Sequence, residues 1–374
     1  MKVALFGGSF NPVHNEHINI VKAAISGLNL DKVIVMPSYI TPAKNGRITA
    51  PAAERYELCR LAFGGMKGVE VSDFELSQGG TSYTYLTVTH LKEIYKNDEL
   101  YLIVGADSYE NFPSWKNPQE ILKRATLAVC GREKPAALRG DGAAAFPYIG
   151  AKVSSTRIRT LAALGEDIGA YTPKTVADYI RENSLYALGI ASGVKKYLTP
   201  SRWKHTVGVA LCAAENCARF GIDEKSALTA AVLHDCAKYL KPDSPELFGF
   251  VPPEGVPDPV VHQYAGAFVA EKIFGVKDED ILNAIRYHTS GRENMSDLEK
   301  LIFLSDLLEE GRSFPGIEKL RESFSHSLNG GMLSALSHQL AYLKSTGEKI
   351  YPLTQTAYDA LVILSDTSES SSSF

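Results

Sequence analysis

The hydrophobic pattern of this chain changes character near the middle of its 374 residues. Up to about residue 186, short apolar runs typical of buried strands alternate with segments of helical periodicity. Beyond that point, apolar residues recur at helical spacing and no strand is indicated. Alternating strands and helices predict a parallel sheet covered by helices, whereas the second pattern predicts an all-α unit. The sequence therefore predicts an α/β domain followed by an all-α domain.

A stretch of small residues, Ala187–Gly193, separates the two patterns. We therefore expect one domain over residues 1–187 and a second over 188–365. The last residues, 366–374, are rich in serine, and this composition predicts a disordered tail.

The predicted strands of the first half are Val3–Phe6, Lys32–Met36, Val69–Phe74, Leu100–Val104 and Thr126–Cys130. Its predicted helices are Glu16–Leu28, Ala53–Phe63, Tyr83–Tyr95 and Pro118–Arg124. Ligands of such parallel sheets bind at the carboxyl ends of the strands. Helices expected in the second half include Ala227–Leu240, Val260–Phe274, Asp278–His288, Ser296–Glu309 and Gly331–Leu343.

Charge and cysteine content limit the partners of the chain. The formal net charge is -4, and the two halves divided at residue 187 carry +2 and -6. Neither half is basic enough to predict nucleic-acid binding, although small phosphorylated ligands remain compatible. The five cysteines form no CxxC pair, which favours a reducing compartment, and no apolar run approaches the ~18 residues of a membrane span. We expect a cytoplasmic protein without membrane or nucleic-acid partners; the sequence leaves homo-oligomerisation open.

The first candidate site follows the first predicted strand. Gly7 and Gly8 would let backbone N–H groups approach a phosphate closely, just before a helix begins. His14 and His17 are three residues apart and share one face of the first turn of that helix, so they could clamp a polyphosphate. The alternative is a glycine-rich turn followed by two incidental surface histidines.

A second cluster supports the phosphate interpretation. Ser154, Ser155 and Thr156 are good helix N-caps, and Arg157 and Arg159 follow them directly. Cations are unfavourable in the first turn of a helix, and a bound anion would remove that conflict. The alternative is an ordinary capped helix with exposed arginines.

The segments GGSFNPVHNEH and VSSTRIR resemble the nucleotidylyltransferase superfamily, in particular the bacterial nicotinate mononucleotide adenylyltransferases. The resemblance covers about Met1 to Tyr186. Further matches follow in order: a lysine-bearing loop at Lys44, the SYT segment at 82–84, the GAD…W stretch from Gly105 to Trp115, and an arginine, Arg132, after the next strand.

The resemblance implies a Rossmann-like nucleotidylyltransferase domain that transfers AMP from ATP to nicotinate mononucleotide, with Mg²⁺ accompanying ATP. His14 and His17 would stabilise the charge of the α-phosphate in the transition state. Lys44, Arg157 and Arg159 would hold the leaving phosphates. Thr84 and Trp115 would hold the pyridine mononucleotide, and Gly105 and Asp107 would lie at the adenosine. The implied substrate-binding residues are Gly7, Gly8, Ser9, Phe10, Thr84, Gly105, Asp107, Trp115, Arg132, Ser154, Ser155, Thr156 and Arg159.

The chain departs from the family pattern at several positions. Glu16 stands before His17 where the family has glycine, and we interpret it as a solvent-facing glutamate of the first helical turn. Asn11, Ala43 and Leu86 replace residues that are often Asp, His and Asp in the family. The SYT and GAD…W segments argue against phosphopantetheine as the acceptor, but they do not separate nicotinate from nicotinamide mononucleotide.

The second candidate site lies in the all-α half. Its residues are His205, His234, Asp235, His262, His288 and Asp306, each on a predicted helix or at its end. Asp306 lies within an apolar helix, where an unpaired carboxylate is costly to bury, so a metal ion is a natural partner. Lys238 shares a helix face with His234 and Asp235, and Arg312 follows the Asp306 helix; both are candidate phosphate ligands. For each histidine alone, the alternative is a hydrogen-bonded core residue.

The order H…HD…H…H…D resembles the HD-domain phosphohydrolase superfamily. The segments RWKHT, LHDCAK and LSDLLEEGR resemble its symmetrical bis(5′-nucleosyl)-tetraphosphatases, from about Val194 to Ala360. The resemblance implies a dinuclear centre, with a first metal held by His205, His234, Asp235 and Asp306. It places a second metal at His262 and His288, with Asp235 bridging.

The metal implied by the resemblance is iron; nitrogen and oxygen ligands also fit Mn, Co or Zn. The implied reaction is hydrolysis of a dinucleoside polyphosphate, diadenosine tetraphosphate, to two ADP, with Asp235 and Lys238 as catalytic residues and Arg312 on the substrate. The alternatives are another nucleotide substrate, or a non-catalytic nucleotide sensor.

Overall fold

The computed structural model describes residues 1–40, 47, 49–131, 138, 142–148, 150–151 and 153–371, with side chains through residue 364. Lys44 and Arg132 lie outside these residues. The described chain forms two compact units that divide between Tyr186 and Ala187, and the short segment Ala163–Gly165 groups with the second unit.

The first unit is built on a six-stranded parallel sheet. Its strands are β1 (Lys2–Gly8), β2 (Lys32–Pro37), β3 (Val69–Val71), β4 (Glu99–Gly105), β5 (Thr126–Cys130) and β6 (Ala144–Phe146). Their order is β3-β2-β1-β4-β5-β6, so the direction in which strands are added reverses between β1 and β4. In open parallel sheets this switch point is where ligands bind. The fold is therefore the predicted Rossmann-like α/β domain.

The helices of the first unit are α1 (Asn15–Leu28), α2 (Ala52–Phe63), α3 (Phe74–Gln78), α4 (Thr84–Ile94), α5 (Ala106–Glu110), α6 (Pro118–Leu122), α7 (Ser155–Ala163) and α8 (Lys174–Glu182). Apolar side chains of β1, β2 and β4 are buried almost completely, including Val3, Leu5, Ile34 and Leu102. Near-continuous apolar strands are expected where helices cover both faces of a parallel sheet.

Among the described residues of the second unit, all regular secondary structure is helical. Its helices are α9 (Ala191–Lys195), α10 (Pro200–Cys217), α11 (Glu224–Leu233), α12 (Asp258–Lys272), α13 (Glu279–Arg286), α14 (Asp297–Leu308), α15 (Ile317–His326), α16 (Leu328–Thr346) and α17 (Pro352–Ser371). Side-chain caps begin three of the central helices: the side chains of Thr199, Asp223 and Ser296 accept backbone N–H groups at α10, α11 and α14. The helices that carry His205 and Asp306, and the helix that ends just before His234, therefore have well-defined starts.

Several elements differ from the sequence predictions. The strand expected over 69–74 ends at Val71, because α3 begins at Phe74, and the helix expected over 227–240 ends at Leu233. The short strand β6 and helix α8 carry too brief an apolar pattern to have been predicted. Helix α17 begins at Pro352, buries Ala357 and Leu361, and runs to Ser371, within the segment expected to be disordered. Each residue added to an established helix gains one hydrogen bond.

No helix among the described residues is long and apolar enough to cross a membrane.

Candidate functional sites

The first site lies where β1 and β4 end side by side. Gly7 and Gly8 are the last residues of β1, and Gly105 is the last residue of β4. A Cβ atom added to Gly7 or Gly105 would meet no atom within 4 Å, so the backbone there borders open space. Asp107 follows in the first turn of α5. The switch-point crevice can therefore admit a ligand close to the backbone.

His14 and His17 lie together at the start of α1, as the spacing predicts. Their rings are stacked with centroids 3.7 Å apart, and the edge of Phe10 packs against His17. The backbone N–H of His14 donates to Nδ1 of His17 over 3.1 Å. Because Nδ1 is the acceptor, the proton of a neutral His17 ring is on Nε2, which is therefore the donor atom of the ring. His17 is thus oriented to donate a hydrogen bond to an anion.

The N-terminus of α7 is bound to the loop that precedes α1. Ser155 Oγ donates to the carbonyl of Pro12 over 3.0 Å, and Ser154 Oγ accepts the backbone N–H of Arg157 over 3.1 Å. Arg157 is half-buried in the first turn. These bonds bring the serine–arginine cluster beside the two histidines.

Arg159 corrects the expectation of an exposed arginine. It is only 2% exposed, and its guanidinium donates to the carbonyl oxygen of Asn11 over 2.9 Å and to Thr156 Oγ1 over 3.2 Å. The side-chain oxygen of Asn11 in turn accepts from the backbone of Ala50 and from the hydroxyl of Tyr186, both over 3.0 Å. Arg159 and Asn11 therefore shape the loop before His14, and contact of Arg159 with the leaving phosphates stays a prediction.

Glu16 also differs from its expected place. Its carboxylate accepts hydrogen bonds from the hydroxyl of Tyr148 and from Asn19 Nδ2. Burial, together with the Glu16 carboxylate, raises the pKa of the Tyr148 phenol, so the phenol stays protonated and donates. Glu16 is consequently held by Tyr148 and is not simply directed to solvent.

Thr84 and Trp115 lie on neighbouring segments of the same unit. Thr84 is the first residue of α4, and Trp115 packs against Phe112 with ring centroids 5.4 Å apart. The ammonium group of Lys116 lies 4.1 Å from the ring centre of Tyr83, which links the start of α4 to the Trp115 segment.

The second site unites all six predicted ligands in the all-α unit. Their ligand atoms form three overlapping groups that could each hold a metal ion: His205, His234 and Asp235; His234, His288 and Asp306; and Asp235, His262 and His288. Asp235 belongs to two groups. Its Oδ2 lies 3.4 Å from His234 Nε2, and its Oδ1 lies 3.3 Å from His262 Nε2 and 3.6 Å from His288 Nε2. The geometry suits a bridging carboxylate.

Two of the histidines are oriented by backbone carbonyls. Nδ1 of His234 lies 2.6 Å from the carbonyl oxygen of Ala231, and Nδ1 of His288 lies 2.8 Å from that of Ile285. A carbonyl can only accept, so each Nδ1 carries the proton and each Nε2 presents its lone pair. The Nε2 atoms of both rings face Asp235, as metal ligands would.

The cluster fits a divalent cation. His234 is fully buried, and its Nε2 makes no hydrogen bond to any described atom, which is unusual for a buried polar group. Burial alone would raise the pKa of the Asp235 carboxyl, but the neighbouring side chains of His234, His262 and His288 hold that pKa far below its usual range. An ionised carboxylate and neutral imidazoles are the ligand forms that a metal requires.

Three cations border the cluster. Arg202 Nη1 lies 2.9 Å from Asp235 Oδ2, Lys238 Nζ lies 2.9 Å from His262 Nε2, and Arg312 Nη2 lies 3.0 Å from Asp306 Oδ1. All three side chains are partly exposed. Sequence reasoning missed Arg202, although its position three residues before His205 on α10 places it on the same helix face.

Glu309 was also missed. Its Oε1 lies 3.1 Å from His205 Nδ1, on the opposite side of the ring from Asp306. The available signal was its spacing, three residues after Asp306.

Comparisons with known proteins match each half of the chain to a family. Residues 5–161 match the cytidylyltransferase-like family, and residues 202–311 match the HD domain family. A chain from Mycoplasma genitalium named "Probable nicotinate-nucleotide adenylyltransferase/Ap4A hydrolase" is 30% identical over 316 residues, which cover 83% of this chain and 88% of that protein.

Relatives of each half are also found. A symmetrical bis(5′-nucleosyl)-tetraphosphatase of Halalkalibacterium halodurans is 38% identical over 46% of this chain and 94% of its own length. A protein of Chlorobaculum tepidum, named as a probable nicotinate-nucleotide adenylyltransferase, is 40% identical over 50% of this chain and all of its own length. The chain, with its nucleotidylyltransferase-type sheet and its helical HD unit, belongs to the family of fused nicotinate-nucleotide adenylyltransferase/Ap4A hydrolases.

Proposed function

We propose that residues 1–187 transfer AMP from ATP to nicotinate mononucleotide, giving deamido-NAD and pyrophosphate, and that residues 188–365 hydrolyse diadenosine tetraphosphate to two ADP. The observation that carries the proposal is the presence of both sets of site residues in one chain. The paired histidines stand at the switch point of the first unit, and the six-ligand cluster is complete in the second. The names of the relatives of each half support the substrates.

In the first reaction, a phosphate oxygen of the mononucleotide attacks the α-phosphorus of ATP and pyrophosphate leaves. Such a transfer depends on alignment and on neutralising charge. His17, donating from Nε2 at the N-terminus of α1, would stabilise the negative charge on the α-phosphate, with His14 beside it. Arg157 would contact the leaving phosphates, together with Lys44. Mg²⁺ bound to ATP would neutralise part of the phosphate charge.

In the second reaction, His205, His234, Asp235 and Asp306 would hold one metal, and His262, His288 and the bridging Asp235 a second. We propose iron, and Mn, Co or Zn would suit the same ligands. Two bound metal ions supply an activated water and neutralise phosphate charge. A bound metal would be coordinated by the carboxylate oxygens of Asp235 and Asp306 that Arg202 and Arg312 contact. Those guanidinium groups, with Lys238, would then be available to bind the tetraphosphate chain.

A product assay on the intact, metal-reconstituted protein tests the proposal. One reaction receives ATP and nicotinate mononucleotide, and a parallel reaction receives diadenosine tetraphosphate. Formation of deamido-NAD in the first and of ADP alone in the second is expected. Formation of AMP with ATP in the second would contradict symmetrical cleavage. An intact tetraphosphate with metal bound would favour another nucleotide substrate, or a nucleotide sensor, for the second unit.

Arg202→Met is expected to lower kcat/KM for diadenosine tetraphosphate by roughly 10- to 100-fold, because a hydrogen bond to a charged group is worth about 1.5–3 kcal/mol. Steady-state kinetics of ADP release measure this change. Lys204→Met, which removes an exposed cation from the same helix, is the matched control and should leave kcat/KM unchanged. Equal kinetics of the two variants would show that Arg202 does not bind substrate.

Tyr148→Phe is expected to raise the KM for ATP by about 2- to 5-fold. The released Glu16 carboxylate would compete with phosphates for the N-terminus of α1, where a charge is worth about 0.3–1 kcal/mol. The control is Tyr179→Phe, since Tyr179 also donates to a glutamate, Glu54, over 2.8 Å. Adding Glu16→Gln to Tyr148→Phe should restore the KM, and failure to do so would exclude competition by the carboxylate.

A further inference from the structure

A second carboxylate lies behind His205. The ring of His205 is placed between Asp306, which lies 2.8 Å from Nε2, and Glu309, which lies 3.1 Å from Nδ1. Glu309 is 6% exposed. Glu309 is absent from all three groups of candidate ligand atoms, so its contact is with the ring and not with a metal position.

Hydrogen bonds fix both the carboxylate and the backbone of Glu309. Its Oε2 accepts the backbone N–H of Gly311 over 2.6 Å. The backbone is also fixed, because Arg321 Nη2 donates to the carbonyl oxygens of Glu309 over 2.9 Å and Arg312 over 3.1 Å. Both oxygens of the carboxylate therefore have a defined partner, one of which is His205.

Gly208 provides the space for this carboxylate. It lies inside α10, three residues after His205, where glycine is less favourable than alanine. A Cβ atom at Gly208 would lie 2.3 Å from Glu309 Oε2 and 2.9 Å from Glu309 Cδ. Any larger residue would have to displace the carboxylate from His205, which explains a glycine at this position.

The consequence concerns the tautomer and basicity of His205. The Glu309 carboxylate accepts a hydrogen bond from Nδ1–H, so Nε2, beside Asp306, is the nitrogen that remains for a metal ion. At His234 and His288 neutral backbone carbonyls perform this task, whereas at His205 the acceptor is charged. A carboxylate behind a ligand histidine both orients the ring and raises its strength as a ligand.

We propose that Glu309 is a positioning residue that orients and polarises His205 as a metal ligand, and that Gly208 exists to admit it. The inference rests on the metal centre proposed above. It predicts that Glu309 affects metal affinity without contacting metal or substrate.

The test is titration of the metal-free protein with Mn²⁺ by isothermal calorimetry, with circular dichroism as a check on the fold. Glu309→Gln keeps the shape of the side chain and removes its charge. It should weaken the binding step that involves His205 by roughly 10- to 100-fold. Glu254→Gln, at an exposed loop position, is the charge-matched control and should bind as the wild type.

A double-mutant comparison separates positioning from general stability. Gly208→Ala should weaken Mn²⁺ binding in the wild type, but should have no further effect when Glu309 is already alanine, because the displaced group is gone. Equal losses from Gly208→Ala in both backgrounds would overturn the inference, as would wild-type Mn²⁺ affinity in Glu309→Gln. Failure of the wild type itself to bind Mn²⁺ would instead refute the proposed metal centre.

Discussion

Asp235→Asn is expected to reduce hydrolysis of diadenosine tetraphosphate by at least about 10³-fold and to leave AMP transfer at its wild-type rate. Asp235 is the carboxylate shared by two of the three ligand groups, and its oxygens lie within 3.6 Å of His234, His262 and His288. The amide has the same shape but no charge, so it cannot bridge two cations. Metal ions contribute several kcal/mol to such reactions, and each 1.36 kcal/mol is a factor of ten in rate.

The measurement combines ADP release with the metal content of the purified protein. Asp235→Asn should retain less metal than the wild type, whereas Asp243→Asn, at an exposed position, should match the wild type in both. AMP transfer by the same preparation serves as an internal control on folding of the first unit. Full hydrolysis by Asp235→Asn would show that the cluster is not the hydrolytic centre.

Short-range patterns predicted most of the fold and several of the side-chain clusters that the structure brings together. The spacing of His14 and His17 placed two imidazoles on one helical turn, and the structure stacks them. The position of Asp306 in an apolar helix indicated a buried carboxylate with partners; the side chain lies beside His205 and Arg312 but is 21% exposed. These predictions depend on periodicity within a helix, which the sequence displays directly.

Long-range pairing accounts for what the sequence did not reveal. Tyr148 is 132 residues from Glu16, and Arg159 is 148 residues from Asn11; no local pattern indicates either pair. Arg159 in particular looked like an exposed cation at a helix start, yet its burial is compensated by the Asn11 carbonyl. Buried polar groups need partners, but the sequence does not say which partner the fold supplies.

The same limit applies to the residues that contact the six candidate ligands from outside the cluster. All six predicted ligands converge, because HD-type spacing fixes them on adjoining helices. Glu309 and Arg202, which contact ligands from outside the cluster, carry no motif of their own. The clearest sign of Glu309 in the sequence is Gly208. Glycine is unfavourable inside a helix, so its presence there suggests that a larger side chain would not fit.

His17→Ala is expected to lower kcat for AMP transfer by about 10²- to 10³-fold, the typical effect of removing one donor that stabilises charge in the transition state. The orientation of His17 supports this expectation: Nδ1 accepts from the backbone of His14, so Nε2 is the donor, and Phe10 packs against the ring. Because the stabilised charge develops during the reaction, kcat should fall much more than KM for ATP rises.

Production of deamido-NAD from saturating ATP and nicotinate mononucleotide measures this effect. His90→Ala removes another imidazole of the same unit, one that stacks on Phe74, and should transfer AMP at the wild-type rate. Hydrolysis of diadenosine tetraphosphate should be unchanged in both variants, because the HD unit has its own ligand set. If His17→Ala raised KM and kept kcat, His17 would contribute to binding of ATP but not to catalysis. The N-terminus of α1 and Arg157 would then have to supply the stabilisation assigned here to the imidazole.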